Sequence, residues 1–211
     1  KINKHVVTLI TQVVVDEKDE AFTNPTKPIG KFYTKEEAEK LEIEKGYKMV
    51  EDSGRGYRRV VASPRPIDIL EKESVKALVE KGHIVITVGG GGIPVIKKGL
   101  AYKGVDGVID KDLASEKMAE LIDADYLFIL TAVDRVAINF GKENQRNLEK
   151  MSIDEAYKYI EENQFAPGSM LPKVMAAVEF VKSKNGRKAI IGSLEKAGEA
   201  LNGASGTLIY K

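Results

Sequence analysis

Along the chain, a β-branched run over residues 6–15 predicts a strand, and a turn-rich stretch over 16–30, holding Pro25 and Pro28, follows it. From Thr34 the period becomes helical. Thr34 and Glu37 form a capping box, charged residues fill one face and Gly46 supplies the stop. Two short strand-like runs, 47–50 and 57–61, are joined by Asp52, Ser53, Gly54, Arg55 and Gly56, which predicts a hairpin with a loop longer than two residues. Residues 24–62 therefore read as a small polar insertion with its own hairpin.

Beyond Pro64 and Pro66, helices and strands alternate. A helix over 74–81 ends at Gly82, and 84–88 is a continuous apolar run of the kind found in a fully buried parallel strand. A helix over 113–122 leads to a strand over 126–130. Ser152 with Glu155 caps a helix reaching about residue 162, and a longer helix over 171–184 stops at Asn185-Gly186 before a strand over 189–191. A last helix ends near Gly203, and 207–210 forms a final strand. This alternation predicts an α/β fold with right-handed crossovers, a three-layer sandwich of a mainly parallel sheet between helices. Residues 1–23 and 63–211 would form the core and 24–62 a protruding subdomain. Ligands of such a sheet bind at the carboxyl ends of its strands.

Charge and composition narrow the chemistry. Lys and Arg number 33 against 32 Asp and Glu, a net charge of +1, so no summed field favours nucleic acid or an anionic membrane. Any anion must be bound by a local site. Without cysteine there is no disulfide, thiol nucleophile or thiolate metal site, and His5 and His83 are too distant in sequence for a local ligand pair. The longest strongly apolar stretch, 126–130, is far short of a membrane span, and no signal peptide is visible, so the cytoplasm is expected. The first residue is Lys1 rather than Met, with an apolar run almost directly behind it, which suggests a start inside a larger protein.

Three segments stand where a ligand would. Gly89, Gly90, Gly91 and Gly92 follow the 84–88 run, and four successive glycines suit a backbone that must approach phosphate closely, although a tight turn or a backbone crossing has the same signature. Their spacing fits neither the dinucleotide fingerprint nor the Walker A pattern. Lys111, between Asp110 and Asp112, opens a helix and so sets a cation against the helix dipole. Lys173 repeats the anomaly in the first turn of the 171–184 helix. Acidic neighbours explain one such lysine; two suggest phosphate, since phosphoryl transfer needs mainly positioning and neutralisation of charge. Thr131, Ala132, Val133 and Asp134 extend a strand at its carboxyl end, as a nucleotide-binding loop or a simple Asx-turn exit. Arg55, Arg58 and Arg59 suit either phosphate contact or solvation, and His5 and His83 read as structural.

Taken in order, Asn24-Pro25-Thr26-Lys27-Pro28-Ile29-Gly30, the Gly54 to Val61 segment, Gly89 to Gly92 with Ile93-Pro94-Val95, Asp110 to Ser115, Leu130 to Asp134, and Phe165 to Met170 leading to Pro172-Lys173-Val174 closely resemble the carbamate kinase family. The resemblance implies the amino acid kinase fold with its protruding subdomain, usually a homodimer, and reversible phosphoryl transfer between ATP and carbamate with Mg²⁺, running physiologically toward ATP from carbamoyl phosphate and ADP. It implies that Lys111, Lys173 and Lys27 serve the transferring phosphoryl group, that Asp112 organises the lysines, and that Gly89 to Gly92, Thr131 to Asp134, Ser169 and Met170 lie around the nucleotide. The family also begins with a Gly-Gly-Asn loop and carries a second early glycine-rich loop, and neither is in this chain. A C-terminal portion with little activity alone is therefore expected. Another small-acid kinase of the same fold and a noncatalytic nucleotide-binding or interaction module are the alternatives.

Overall fold

The β-branched run over 6–15 is two strands rather than one: β1 (Val6–Thr8) and β2 (Gln12–Val15) belong to different sheets. The break is tertiary in origin. Thr11 is buried, its hydroxyl accepts the Val88 amide at 3.0 Å, and its carbonyl accepts the Ile93 amide at 2.9 Å. Both halves have strand propensity, and these long-range bonds hold the break between them.

The computed structural model describes residues 3–52 and 54–211, so Lys1, Ile2 and Ser53 lie outside the described residues. Two compact units are distinguishable, Lys1–Glu71 with Leu78–Lys111, and Lys72–Ala77 with Asp112–Lys211.

In the first unit, after β1 and β2, come β3 (Lys27–Tyr33), α1 (Lys35–Lys45), β4 (Lys48–Glu51), β5 (Tyr57–Val61) and β6 (Pro66–Ile69). Helix α2 (Lys72–Glu80) is divided between the units, and β7 (Ile84–Ile86), β8 (Ile93–Lys98) and β9 (Ala101–Gly104) follow. The expected hairpin is β4 with β5, and β3 joins it to make an antiparallel order β3-β5-β4. Residues 27–33 were hidden within a Pro- and Gly-punctuated stretch. α1 has the capping box predicted for it and ends on Gly46 at φ 64°. A four-stranded sheet runs β6-β2-β8-β9, with β2 and β8 parallel and the other pairs antiparallel. β1 and β7 form a separate parallel pair. The parallel pairing expected of this strand is present, but the full burial expected with it is not: Ile84 is 41% and Ile86 53% exposed, as is Val6 at 58%.

The second unit continues from α3 (Lys111–Leu121) through β10 (Tyr126–Thr131), β11 (Ala137–Ile138), β12 (Arg146–Asn147), β13 (Lys150–Ser152), α4 (Ile153–Glu161), α5 (Met170–Ser183), β14 (Lys188–Ser193), α6 (Ala197–Leu201) and β15 (Thr207–Tyr210). Its sheet order is β10-β14-β15-β13. β10 pairs parallel with β14 and β13 with β15, whereas β14 and β15 are antiparallel. The sheets are thus mixed, and the class is α/β. α5 supplies the core with Val174, Val178 and Phe180, against Met151, Ile191 and Ile209. Six such side chains, at about 2 kcal/mol each, anchor the helix whose first turn carries Lys173. Among the described residues no helix is long and apolar enough to cross a membrane.

Candidate active site

The four glycines are not equivalent. Val88, Gly90, Gly91 and Gly92 all adopt positive φ, at 48°, 67°, 95° and 78°. A Cβ on Gly91 would lie 2.2 Å from the Ile109 carbonyl oxygen, and one on Gly92 would lie 2.4 Å from a Val13 methyl. Those two glycines are required by close packing inside the first unit. Gly89 and Gly90 face open space, with nothing within 4 Å of an added Cβ. Only this half of the loop is built like a place where backbone approaches a ligand.

Asp110 and Asp112 each hold a lysine. In the first unit, Lys27 of β3 donates to Asp110 Oδ2 at 2.6 Å, with side-chain exposures of 31% and 11%. In the second unit, Lys173 of α5 donates to Asp112 Oδ2 at 2.8 Å, with both side chains 10% exposed. Lys111, between the two acids in sequence, opens α3 and is exposed. An ammonium and a carboxylate buried together fix each other in position. Lys173 occupies the first turn of α5, whose N-cap Ser169 makes no side-chain capping bond. The cation at that helix start thus has a carboxylate from α3 to offset the dipole.

A cavity of about 490 Å³ opens in the second unit, within the range of small-ligand sites. Ala132, Val133 and Asp134 after β10 line one side, and Ser169 and Met170 at the start of α5 line another. Five of the six residues from these two segments proposed for the nucleotide share this cavity. Thr131 lines an adjoining hollow with Ala132 and Asp134 instead. Phe165 and Ala166, quoted in the sequence motif, also line it; sequence reasoning missed other parts of the wall, among them Arg135, Phe140, Gln145, Asn147 and Gln164. Phe140, Gln145 and Asn147 come from the short hairpin β11–β12, Arg135 lies just before it, and Gln164 follows α4. The hairpin loop holds Asn139 at φ 53° and Gly141 at φ 75°, and the Asn-Phe-Gly turn was the signal available. Gln164 also fixes that loop, accepting the Asn139 amide at 2.8 Å. Asp134 receives the ammonium of Lys196, and this hydrogen bond and charge raise the pKa of Lys196.

The Amino acid kinase family matches residues 30–193. The chain belongs to this family. Within it, the chain is 62% identical to a carbamate kinase of Clostridium perfringens and 61% identical to a carbamate kinase-like protein, YqeA, of Escherichia coli, over 210 and 208 residues. It spans 67% of the length of each of these relatives. Among solved structures, carbamate kinase from Giardia lamblia bound to AMP-PNP superposes with a TM-score of 0.88 at 46% identity, covering 99% of this chain and 66% of that one. The family assignment makes the chain a kinase homologue, a phosphotransferase by fold and sequence.

Proposed function

We propose that this chain carries the nucleotide- and phosphoryl-handling part of a carbamate kinase, which interconverts ATP and carbamate with ADP and carbamoyl phosphate. The buried Lys173–Asp112 pair carries the reading, because it fixes an ammonium at a helix start on Asp112, in a chain about 60% identical to carbamate kinases. A carbamate oxygen attacks the γ-phosphorus of ATP while the bond from that phosphorus to the β–γ bridging oxygen breaks, giving ADP and carbamoyl phosphate. Negative charge shifts across the transferring group during this step. Lysine ammoniums neutralise it, and Lys111, Lys173 and Lys27 are the candidates, with Asp112 and Asp110 holding two of them in place. The second-unit cavity suits the nucleoside, with Asp134 and the Ser169–Met170 turn in its walls.

Among the described residues no three His, Cys, Asp or Glu side chains come together as a cation site. Mg²⁺ therefore enters this reading as part of the nucleotide substrate, carried on phosphate oxygens and water. Residues 24–62, with the β3-β5-β4 sheet, correspond to the subdomain. A cytoplasmic homodimer making ATP in arginine or purine breakdown completes the proposal. The spanned 67% supports a further element of it: this chain alone binds nucleotide yet turns over little.

A coupled assay for ATP formation from ADP and carbamoyl phosphate, run beside calorimetry with MgADP, tests these statements. MgADP binding that weakens in Lys111→Ala and Lys173→Ala is expected. Absence of binding, unchanged by those substitutions, favours a noncatalytic module, and turnover with a different acid favours another kinase of the fold.

A further inference from the structure

Helix α3 buries two carboxyl groups one turn apart, Asp112 and Glu116, which are 9% and 1% exposed. Their surroundings are opposite. Asp112 receives the Lys173 ammonium from α5. Glu116 has an Oε1 that is buried without a hydrogen-bond partner among the described residues.

The charged groups facing Glu116 are Lys117 and Glu120 on α3 and Glu179 on α5. Lys117 is already paired with Glu120. Arg187, just before β14, donates to the Glu120 carbonyl at 3.1 Å and to the Asp123 carboxylate at 2.9 Å while stacking on Phe180. These cations are committed elsewhere, so a charge on Glu116 would sit in the interior beside two carboxylates. Burial pushes the Glu116 carboxyl up to about 7, with Lys117 opposing the rise and Glu120 and Glu179 adding to it.

We propose that Glu116 is a proton-operated latch between α3 and α5: protonated, it lets the two helices seat, and ionised, it loosens them. The same two helices hold the Asp112–Lys173 pair, which makes Glu116 a positioning residue for that pair. The latch does not depend on the phosphoryl-transfer reading; only its effect on ligand binding does. Its sign follows from linkage. The folded chain holds the proton more tightly than the unfolded one, where glutamate titrates near 4.5. Below about pH 4.5 the buried group costs no stability, and stability is lost progressively as the pH rises through about 7.

Thermal unfolding of the 211-residue chain between pH 5 and pH 8, beside Glu116→Gln, provides the test. The variant is isosteric and neutral, so its Tm advantage over wild type should grow by about 5–10 °C across that range. The carboxyl ¹³C resonance of Glu116 should titrate with a midpoint above pH 6, and Glu179→Gln should lower that midpoint. A Tm difference that stays constant with pH, or a Glu116 midpoint near 4.5, overturns the latch. If Glu116→Gln does not fold, the resonance in wild type and in Glu179→Gln decides alone: a midpoint near 4.5, or one that Glu179→Gln leaves in place, overturns it. MgADP calorimetry over the same range separates the two readings. Affinity that falls above neutral pH in wild type and holds in Glu116→Gln supports the positioning role, and equal pH dependence in both overturns that role. MgADP binding absent at every pH, with the Tm and resonance results as expected, refutes the nucleotide reading and leaves the latch standing.

Discussion

Lys173 and Asp112 are 61 residues apart in sequence and meet at 2.8 Å in a buried setting. Deleting the ammonium by Lys173→Ala removes from Asp112 a cation that compensates its burial, so a loss of about 3 kcal/mol is expected in urea unfolding. The double variant Lys173→Ala/Asp112→Ala should lose less than the sum of the two single ones, because the second deletion removes the charge left behind. The glycines make a second residue-scale contrast. Gly91→Ala places a Cβ 2.2 Å from the Ile109 carbonyl at φ +95° and should destabilise by more than about 2 kcal/mol. Gly89→Ala meets nothing within 4 Å, so its Tm should stay close to wild type while MgADP affinity falls about tenfold, or about 1.4 kcal/mol. Unchanged affinity in Gly89→Ala would mean that this part of the loop is only a turn.

At the scale of elements, what was legible depended on whether the determinant is local. Both capping boxes, Thr34 with Glu37 and Ser152 with Glu155, formed as read, since Ncap and N3 lie within one turn. α1 buries only Ala38, so its ends matter more than its face, and Thr34→Ala should cost about 1 kcal/mol in chemical denaturation. The break at Thr11 was not legible, because it is made by Val88 and Ile93 far along the chain. β8 was obscured by Pro94, a residue usually confined to sheet edges, although β8 pairs on both sides. The β8–β9 turn, Gly99-Leu100, with Gly99 at φ 60°, carried a signal that was overlooked. Of the candidate site, the anomaly of Lys111 and Lys173 at helix starts was visible in the pattern; that Asp112 pairs with Lys173 and Asp110 with Lys27 was not, since neither pair is local. The resemblance supplied Lys27, for which spacing offered no argument.

On the scale of the whole molecule, the chain has two compact units and spans about two thirds of its relatives' length. Isolated 211-residue protein should bind MgADP and show less than about 1% of the turnover of a full-length relative assayed in parallel, a gap of at least about 2.7 kcal/mol in transition-state stabilisation. Turnover equal to the relative's would overturn that expectation. The parallel pair β1–β7 has a consequence for handling the protein. Val6, Ile84 and Ile86 are exposed at 58%, 41% and 53%, on strands whose outer edges have no neighbour in the described sheet. Such a face is adhesive toward any other strand, its own copies included. At the net charge of +1 given by the sequence, little colloidal repulsion opposes that adhesion, so light scattering should rise steeply with concentration, and Ile84→Lys with Ile86→Lys should suppress it.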